Sequence, residues 1–140
     1  MTWKNPILLL RLLLAVAGIV IIFMGFNVGF GGIRTLGWQG PTDFMEIVDS
    51  SAFRTQDSHF RFLGGVWLGI GIVFLAGAFT LHRLRTVLIV LSGIVFIGGI
   101  ARMSSLDLKT LLSLSVLPSL LAELVLFPLM GYWIAKYAKK

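Results

Sequence analysis

Glu123 is the residue whose type and position point most directly to chemistry. It lies in the last long apolar run of the chain and is the only acidic residue within any of those runs. An ionised carboxylate facing lipid is costly, so Glu123 is predicted to face protein groups and to find a cationic partner or take up a proton. Arg102 is the first predicted partner and Arg61 the second. An ion pair that fixes packing, a carboxylate that binds a ligand or carries a proton, and an unpaired neutral acid are the three alternatives.

A stripe of residues spaced three or four apart leads into the second apolar run: Arg54, Asp57, Arg61, Gly64 or Gly65, and Leu68. Residues at this spacing share one helix face, so Asp57 and Arg61 are predicted to pair along the helix. The stripe changes from charged to glycine, which predicts that its charged end faces the mouth of a helical bundle. The alternative is a solvated helix end whose arginines extend to the membrane surface. Asp57, Arg61, Arg102 and Glu123 are the predicted ligand-binding residues.

Residue types exclude most other kinds of site. The chain has no cysteine, which removes disulfides, thiolate metal sites, iron–sulfur clusters and thiol nucleophiles. His59 and His82 flank the second apolar run and are predicted at opposite membrane surfaces, so we expect no metal site and no bis-histidine haem. The chain also lacks a recognisable serine–histidine–acid motif and a phosphate-binding glycine loop. We therefore expect no catalytic residues and no cofactor, and we favour a protein without enzymatic activity.

The composition is that of a small integral membrane protein. Of the 140 residues, 57% are hydrophobic and 13% are charged, whereas soluble domains have about 45–50% apolar and about 25% charged residues. Four long apolar runs predict an all-α, polytopic protein, with one transmembrane domain of four helices over about residues 7–28, 59–81, 86–102 and 116–136. The net charge of +6 comes from basic residues at the edges of these runs, which indicates topology and lipid head groups rather than nucleic acid.

The connection between the first two runs, residues 30–58, is the longest segment outside the predicted spans. Pro41, Asp43 and Glu46 resemble the start of a helix with a capping box, and the apolar residues after them predict a short amphipathic helix on the outer surface. The two ends of the chain and the second connection carry seven of the 12 lysine and arginine residues and no acid. This bias predicts that both termini lie in the cytoplasm.

Glycines are frequent in three of the four runs. The set comprises Gly18 and Gly25 in the first run, a GxxxG motif from Gly65 to Gly69 in the second, and Gly93, Gly98 and Gly99 in the third. Small residues let helix backbones approach closely in lipid, where no hydrophobic effect drives helices together. The glycines are therefore predicted to pack helices within one bundle. Homo-oligomerisation through the same faces is the alternative.

Three stretches of the chain carry a family resemblance: Phe60–Gly65 with Trp67–Gly69, Gly98–Ser104, and Glu123 in the last run. They resemble a family of small bacterial membrane proteins, domain-of-unknown-function family 4345, which is distantly similar in plan to DoxX-like four-helix proteins. The resemblance implies four helices and places Arg61, Arg102 and Glu123 at positions characteristic of the family. It points to a multi-pass protein of the bacterial inner membrane and supplies no activity.

These observations favour a non-enzymatic membrane protein with an outward-facing polar pocket lined by Arg61, Arg102 and Glu123. The pocket would hold a membrane lipid head group or a small polar or anionic ligand, or the same face would dock onto a larger membrane-protein partner. A small proton-coupled transporter that uses Glu123 is a second hypothesis, although nearby arginines disfavour a cationic substrate. A quinone-linked redox subunit is a third, by analogy with DoxX, and analogy between folds carries little weight for function.

Overall fold

The structure is a computed structural model that describes residues 6–39 and 46–138. Every regular element within these ranges is helical, and no strand occurs in them. The elements are α1 (Pro6–Gly31), a 3₁₀ helix (Ile33–Gln39), α2 (Ser50–Phe79), α3 (Arg85–Met103), the short α4 (Leu108–Leu111) and α5 (Leu117–Tyr137). In this part of the chain α1, α2, α3 and α5 are long and apolar enough to cross a membrane. The predicted all-α, multi-pass class is confirmed.

The second helix begins earlier than the sequence predicts, at Ser50 rather than near residue 59. Asp49 accounts for this start, because its Oδ1 accepts hydrogen bonds from the backbone N–H groups of Ser51 at 2.7 Å and of Ala52 at 3.1 Å. The bond from Ala52, followed by that from Ser51, holds the pKa of the Asp49 carboxyl below its ordinary value. The polar residues before the second apolar run therefore extend a membrane helix.

The predicted amphipathic helix is not found in the part of residues 30–58 that the structure describes. α1 continues to Gly31, the 3₁₀ helix follows it, and residues 46–49 have no helical structure before α2 begins. Pro41 and Asp43, the predicted helix start, lie outside the described residues. In the described part of this segment, the residue that caps a helix is Asp49. It caps α2 and not a separate surface helix.

The connection from α3 to α5 contains a tight turn and a capped helix. Leu106 has a positive φ of 55°, an uncommon conformation for a residue other than glycine. Asp107 caps α4, because its carboxylate accepts the Thr110 hydroxyl at 2.6 Å and the Thr110 N–H at 3.2 Å. These two bonds, with the hydroxyl contributing most, lower the pKa of Asp107. The cap stabilises the return of the chain towards α5.

α5 changes its hydrogen-bond pattern near its middle. It is α-helical over Leu117–Leu121 and Phe127–Tyr137, and a π-helical turn, Ala122–Leu126, lies between. Pro128 explains the change, since proline has no N–H to donate to the carbonyl four residues back and its ring crowds that carbonyl. The helix accommodates the proline by widening over the preceding turn, and Glu123 lies in this turn.

The chain forms two compact units. One comprises the described residues of 1–14 and 76–140, and the other comprises those of 15–75. In the first unit α3 packs along α5. Ser92 of α3 is buried there, and its hydroxyl donates to the Leu88 carbonyl at 2.8 Å. A Cβ on Gly131 of α5 would lie 3.2 Å from the Ser92 Cβ, so a small residue faces a small residue at this crossing.

In the second unit, glycines bring α1 and α2 into backbone contact. The contacts pair Gly64 with Gly29, Gly25 with Leu68, Gly71 with Ile22, and Gly18 with Leu75. At Gly64 and Gly25 an added Cβ would overlap the facing backbone. At Gly18 it would lie 2.6 Å from the facing nitrogen. The predicted packing role of glycine is confirmed for these positions, since only a residue without a side chain permits this approach.

The predicted GxxxG motif is not part of the contact. A Cβ on Gly65 or Gly69 would meet nothing within 4 Å, and both residues are exposed. Successive helix residues differ by about 100° around the axis, so Gly64 faces α1 while Gly65 points elsewhere. The prediction that Gly65 and Gly69 pack helices within this chain was therefore wrong. Gly93 and Gly98 of α3 also lie in open surroundings, whereas Gly99 is packed.

Gly64→Ala is expected to lower the free energy of unfolding by about 1–3 kcal/mol, because the new methyl group fits only if α1 and α2 move apart. Gly65→Ala is the matched control. It enters open space, and alanine favours a helix over glycine by about 1 kcal/mol or less. The measurement is loss of helical circular dichroism on titration with sodium dodecyl sulfate. Equal destabilisation by the two substitutions would contradict the register described for α1 and α2.

Candidate functional site

The carboxylate of Glu123 is held by the guanidinium group of Arg102. Arg102 Nη2 donates to Glu123 Oε1 at 2.8 Å and Nε donates to Oε2 at 3.1 Å, so two hydrogen bonds join the two planar groups. Arg102 lies in the last turn of α3 and Glu123 in the π-helical turn of α5. The predicted pairing of Glu123 with Arg102 is confirmed. A bidentate pair of this kind fixes orientation as well as balancing charge.

The two partners differ in exposure. The side chain of Arg102 is 35% exposed and that of Glu123 is 15% exposed. The carboxylate is therefore the enclosed partner, and the guanidinium forms the accessible edge of the pair. Arg102 Nη1 is not engaged by Glu123, so this edge retains N–H donors for a further acceptor.

Gly99 makes room for Glu123 against α3. A Cβ on Gly99 would lie 2.9 Å from the Cβ of Glu123 and 2.9 Å from Cδ2 of Leu124. Arg102 follows Gly99 by three residues, which places both on one face of α3. The glycine lets α5 approach closely, and the long arginine side chain then reaches the carboxylate. The position of Gly99 in the sequence predicts helix packing and gives no sign of its connection with Glu123.

The π-helical turn leaves a backbone acceptor in the same residue. In an α-helix the N–H of Phe127 would donate to the carbonyl of Glu123, but here it donates to the carbonyl of Ala122. The residue five positions after Glu123 is Pro128, which has no N–H. The Glu123 carbonyl therefore lacks both of its helical donors. Such turns occur frequently at functional sites, and this one presents a carbonyl oxygen as well as a carboxylate.

Asp57 and Arg61 form a second pair, which we call the helix-end clamp. Arg61 Nε donates to Asp57 Oδ2 at 2.7 Å, as the spacing in the sequence predicts. Arg61 Nη1 also donates to the carbonyl of Phe30 at 2.6 Å, and Asp57 Oδ1 accepts the N–H of Ile33 at 2.8 Å. Arg61 therefore satisfies a carbonyl at the end of α1, and Asp57 satisfies an N–H at the start of the 3₁₀ helix.

Gly32 permits the helix-end clamp to close. Its φ is +77°, a left-handed conformation that glycine adopts readily. A Cβ at this position would overlap Asp57 Oδ1 and would lie 2.8 Å from Arg61 Nη2. Glycine is therefore required at position 32 both by the turn that ends α1 and by the space that the two side chains occupy.

The four predicted ligand-binding residues thus occur as two ion pairs, one in each compact unit. Of the two partners predicted for Glu123, the structure pairs it with Arg102, and it pairs Arg61 with Asp57. The backbone contacts of the helix-end clamp could not be predicted from local spacing, because they join residues 24 and 31 positions apart. Ligand binding by the four residues stays a prediction. Residues 6–39 and 46–138 contain no cluster of three or more metal-ligating side chains.

Asp57→Ala is expected to remove the hydrogen-bond protection of the Ile33 amide, because it deletes the acceptor of that N–H and frees Arg61 from its partner. A buried donor left without an acceptor costs about 1–3 kcal/mol, so the Ile33 amide should exchange with deuterium roughly tenfold faster or more. Asp49→Ala is the control, since it removes two backbone bonds at the start of α2 and none at Ile33. Unchanged Ile33 exchange in Asp57→Ala would contradict the clamp.

Gly99→Ala is expected to separate α3 from Glu123 and to lower the free energy of unfolding by about 1–3 kcal/mol. The neighbouring Gly98→Ala enters open space and serves as the control. Unfolding in sodium dodecyl sulfate measures both. If Gly99→Ala and Gly98→Ala behave alike, Gly99 does not set the approach of α5 to α3.

A family model described as "Domain of unknown function (DUF4345)" matches residues 9–134, a range that includes both ion pairs. No curated protein and no solved structure matches the chain.

Proposed function

The chain belongs to the DUF4345 family, and from this premise we propose a non-enzymatic protein of the bacterial inner membrane that binds a polar or anionic group at Arg102 and Glu123. Both termini lie in the cytoplasm in this proposal, so the ends of α3 and α5 that carry the pair face outward. The ligand is a lipid head group or a small polar molecule. The same surface is alternatively the docking site for a larger membrane-protein partner.

The bidentate pair of unequally exposed partners is the observation that carries the proposal. Glu123 orients Arg102 and balances its charge, which makes a guanidinium group tolerable at the edge of the apolar region. The accessible edge of Arg102 can then donate to a phosphate, carboxylate or carbonyl oxygen. The greater exposure of the cation leaves it open to a ligand, as this proposal requires.

The unpaired carbonyl of Glu123 supports binding of a group that has both donors and acceptors. The carbonyl of residue 123 is an acceptor and Arg102 is a donor, so a group with both kinds of hydrogen-bonding atom suits this part of the chain. Arg61 is 44% exposed and keeps N–H groups beyond those in the helix-end clamp, so it is a second candidate for contact with an anion. Asp57 acts in this proposal by positioning Arg61.

Glu123→Gln is expected to weaken retention of the co-purifying ligand or partner about tenfold, because Arg102 loses the charge that orients it. A hydrogen bond to a charged group contributes about 1.5–3 kcal/mol. Native mass spectrometry of the protein in mild detergent, compared between wild type, Glu123→Gln and Arg102→Gln, measures lipid, partner and stoichiometry together. Lys109→Gln, an exposed cation of the same unit, is the control.

The outcomes separate the candidate functions. If Glu123→Gln lowers stability while ligand and partner retention stay at the wild-type level, the pair is structural and the proposal is wrong. Flux in liposomes that depends on pH and on Glu123 would replace it with the transporter hypothesis. A quinone extracted with the protein would replace it with the redox-subunit hypothesis. A dimer that is lost on Gly65→Leu would assign the open glycine face to homo-oligomerisation.

A further inference from the structure

A group of cations marks the other end of the first compact unit, and we propose that it binds the phosphate of an anionic phospholipid. We call the cations Arg83, Arg85 and Lys136, together with the neighbouring His82, the basic end. Arg85 begins α3 and Arg102 lies 17 residues later, which corresponds to about 26 Å along the helix. That distance is close to the thickness of the hydrocarbon core of a bilayer, about 30 Å. The basic end and the Arg102–Glu123 pair therefore meet opposite membrane surfaces.

No acidic side chain among the described residues forms an ion pair with the basic end. The sequence contains no acidic residue between Asp57 and Asp107 and none after Glu123. In the described part of this unit, the acids are Asp107, beyond the far end of α3, and Glu123, which Arg102 already neutralises. The cations of the basic end are thus left for an anion that the described part of this unit does not supply.

Arg85 holds a fixed guanidinium group at the centre of the basic end. Its Nη2 donates to the carbonyl of Ala135 in the last turn of α5 at 2.9 Å, which is a favourable position for a cation at a helix C-terminus. Its Nε is shielded from solvent and has no hydrogen-bond partner among the described residues. The described residues therefore accept from only one nitrogen of the Arg85 guanidinium group. Nη1 makes no hydrogen bond to the described residues either, and it is this group that a bound anion can contact.

The neighbouring cations lie on segments with regular backbone hydrogen bonds, one in a turn and one in the last turn of α5. Arg83 lies in the turn between α2 and α3, where its N–H donates to the carbonyl of Thr80 at 3.0 Å. Lys136 directly follows the residue that Arg85 caps, and its Nζ lies 5.2 Å from the Tyr137 ring centre and 5.8 Å from that of Tyr132. Both side chains are exposed, as is His82. These side chains can approach a phosphate at the membrane surface without any loss of helical structure.

The chemistry favours a phospholipid with net negative charge over a zwitterionic one. Arginine and lysine at the end of a membrane helix attract anionic head groups, and tyrosines at the same level lie where head groups and acyl chains meet. A phosphodiester with no attached amine, as in phosphatidylglycerol, offers unbalanced charge to the basic end. In phosphatidylcholine the quaternary amine offsets the phosphate. The site is independent of the Arg102–Glu123 pair, because it uses other residues at the other end of the unit.

The test titrates the purified full-length protein in mild detergent with phosphatidylglycerol or phosphatidylcholine of identical acyl chains, and native mass spectrometry measures the bound lipid. Each cation near an anionic lipid strengthens association roughly fivefold. Lys136→Gln should therefore weaken phosphatidylglycerol binding about fivefold, and Arg83→Gln combined with Lys136→Gln about 25-fold. Wild-type protein should bind phosphatidylcholine more weakly than phosphatidylglycerol.

Lys109→Gln is the matched control, since it removes the same charge from an exposed position beyond the opposite end of α3. It should leave phosphatidylglycerol binding within about twofold of wild type. An equal loss in Lys109→Gln and Lys136→Gln, or equal binding of the two lipids, overturns the proposal. Displacement of the lipid by equimolar glycerol phosphate would assign the site to a soluble anion instead. If Lys136→Gln loses helicity, Arg83→Gln alone, at an exposed turn position, provides the comparison.

Discussion

Lipid offers no hydrogen bonds, so every charge and every backbone polar group inside a bilayer must find its partner within the protein. This constraint applies to Glu123, because an acid in an apolar span must be paired or neutral. Arg102 meets the requirement with two hydrogen bonds from the end of the neighbouring helix. The approach that makes this possible depends on Gly99, where any side chain would collide with the stem of Glu123. A polar site within an apolar protein therefore depends on a residue with no side chain.

Helix ends pose the same problem for the backbone, and arginine solves it twice across helices. Arg61 of α2 donates to a carbonyl at the end of α1, and Arg85 of α3 donates to one at the end of α5. Each guanidinium group pairs with carbonyls that have no helical donor, while its charge favours the negative end of the helix dipole. Arg61 is balanced by Asp57, whereas Arg85 has no acidic partner in the described chain. This difference separates a cation used for the fold from one that remains available to an anion.

The two ends of the unit built from α3 and α5 therefore present different chemistry. One end has a charge-balanced pair together with a carbonyl released by Pro128. The other end has cations alone, held beside tyrosine rings. A balanced pair suits a polar or anionic group that needs oriented hydrogen bonds, and unbalanced cations suit a head group with net negative charge. In our two proposals the opposite surfaces of this unit therefore bind different molecules.

The number and type of the long apolar helices were determined by the sequence alone, as were their approximate limits apart from the start of α2, because apolar length is a property of consecutive residues. The same holds for the Asp57–Arg61 pair, which spacing along one helix predicts, and for the need of Glu123 for a cation. Tertiary structure decided which glycines meet a neighbouring helix, since Gly64 and Gly65 differ only in direction around the axis. It also decided between Arg102, the first predicted partner of Glu123, and Arg61, the second, and it brought Asp57 and Arg61 to the end of α1. Those contacts join residues far apart in the chain, and nothing in local sequence specifies which of several distant groups a side chain will reach.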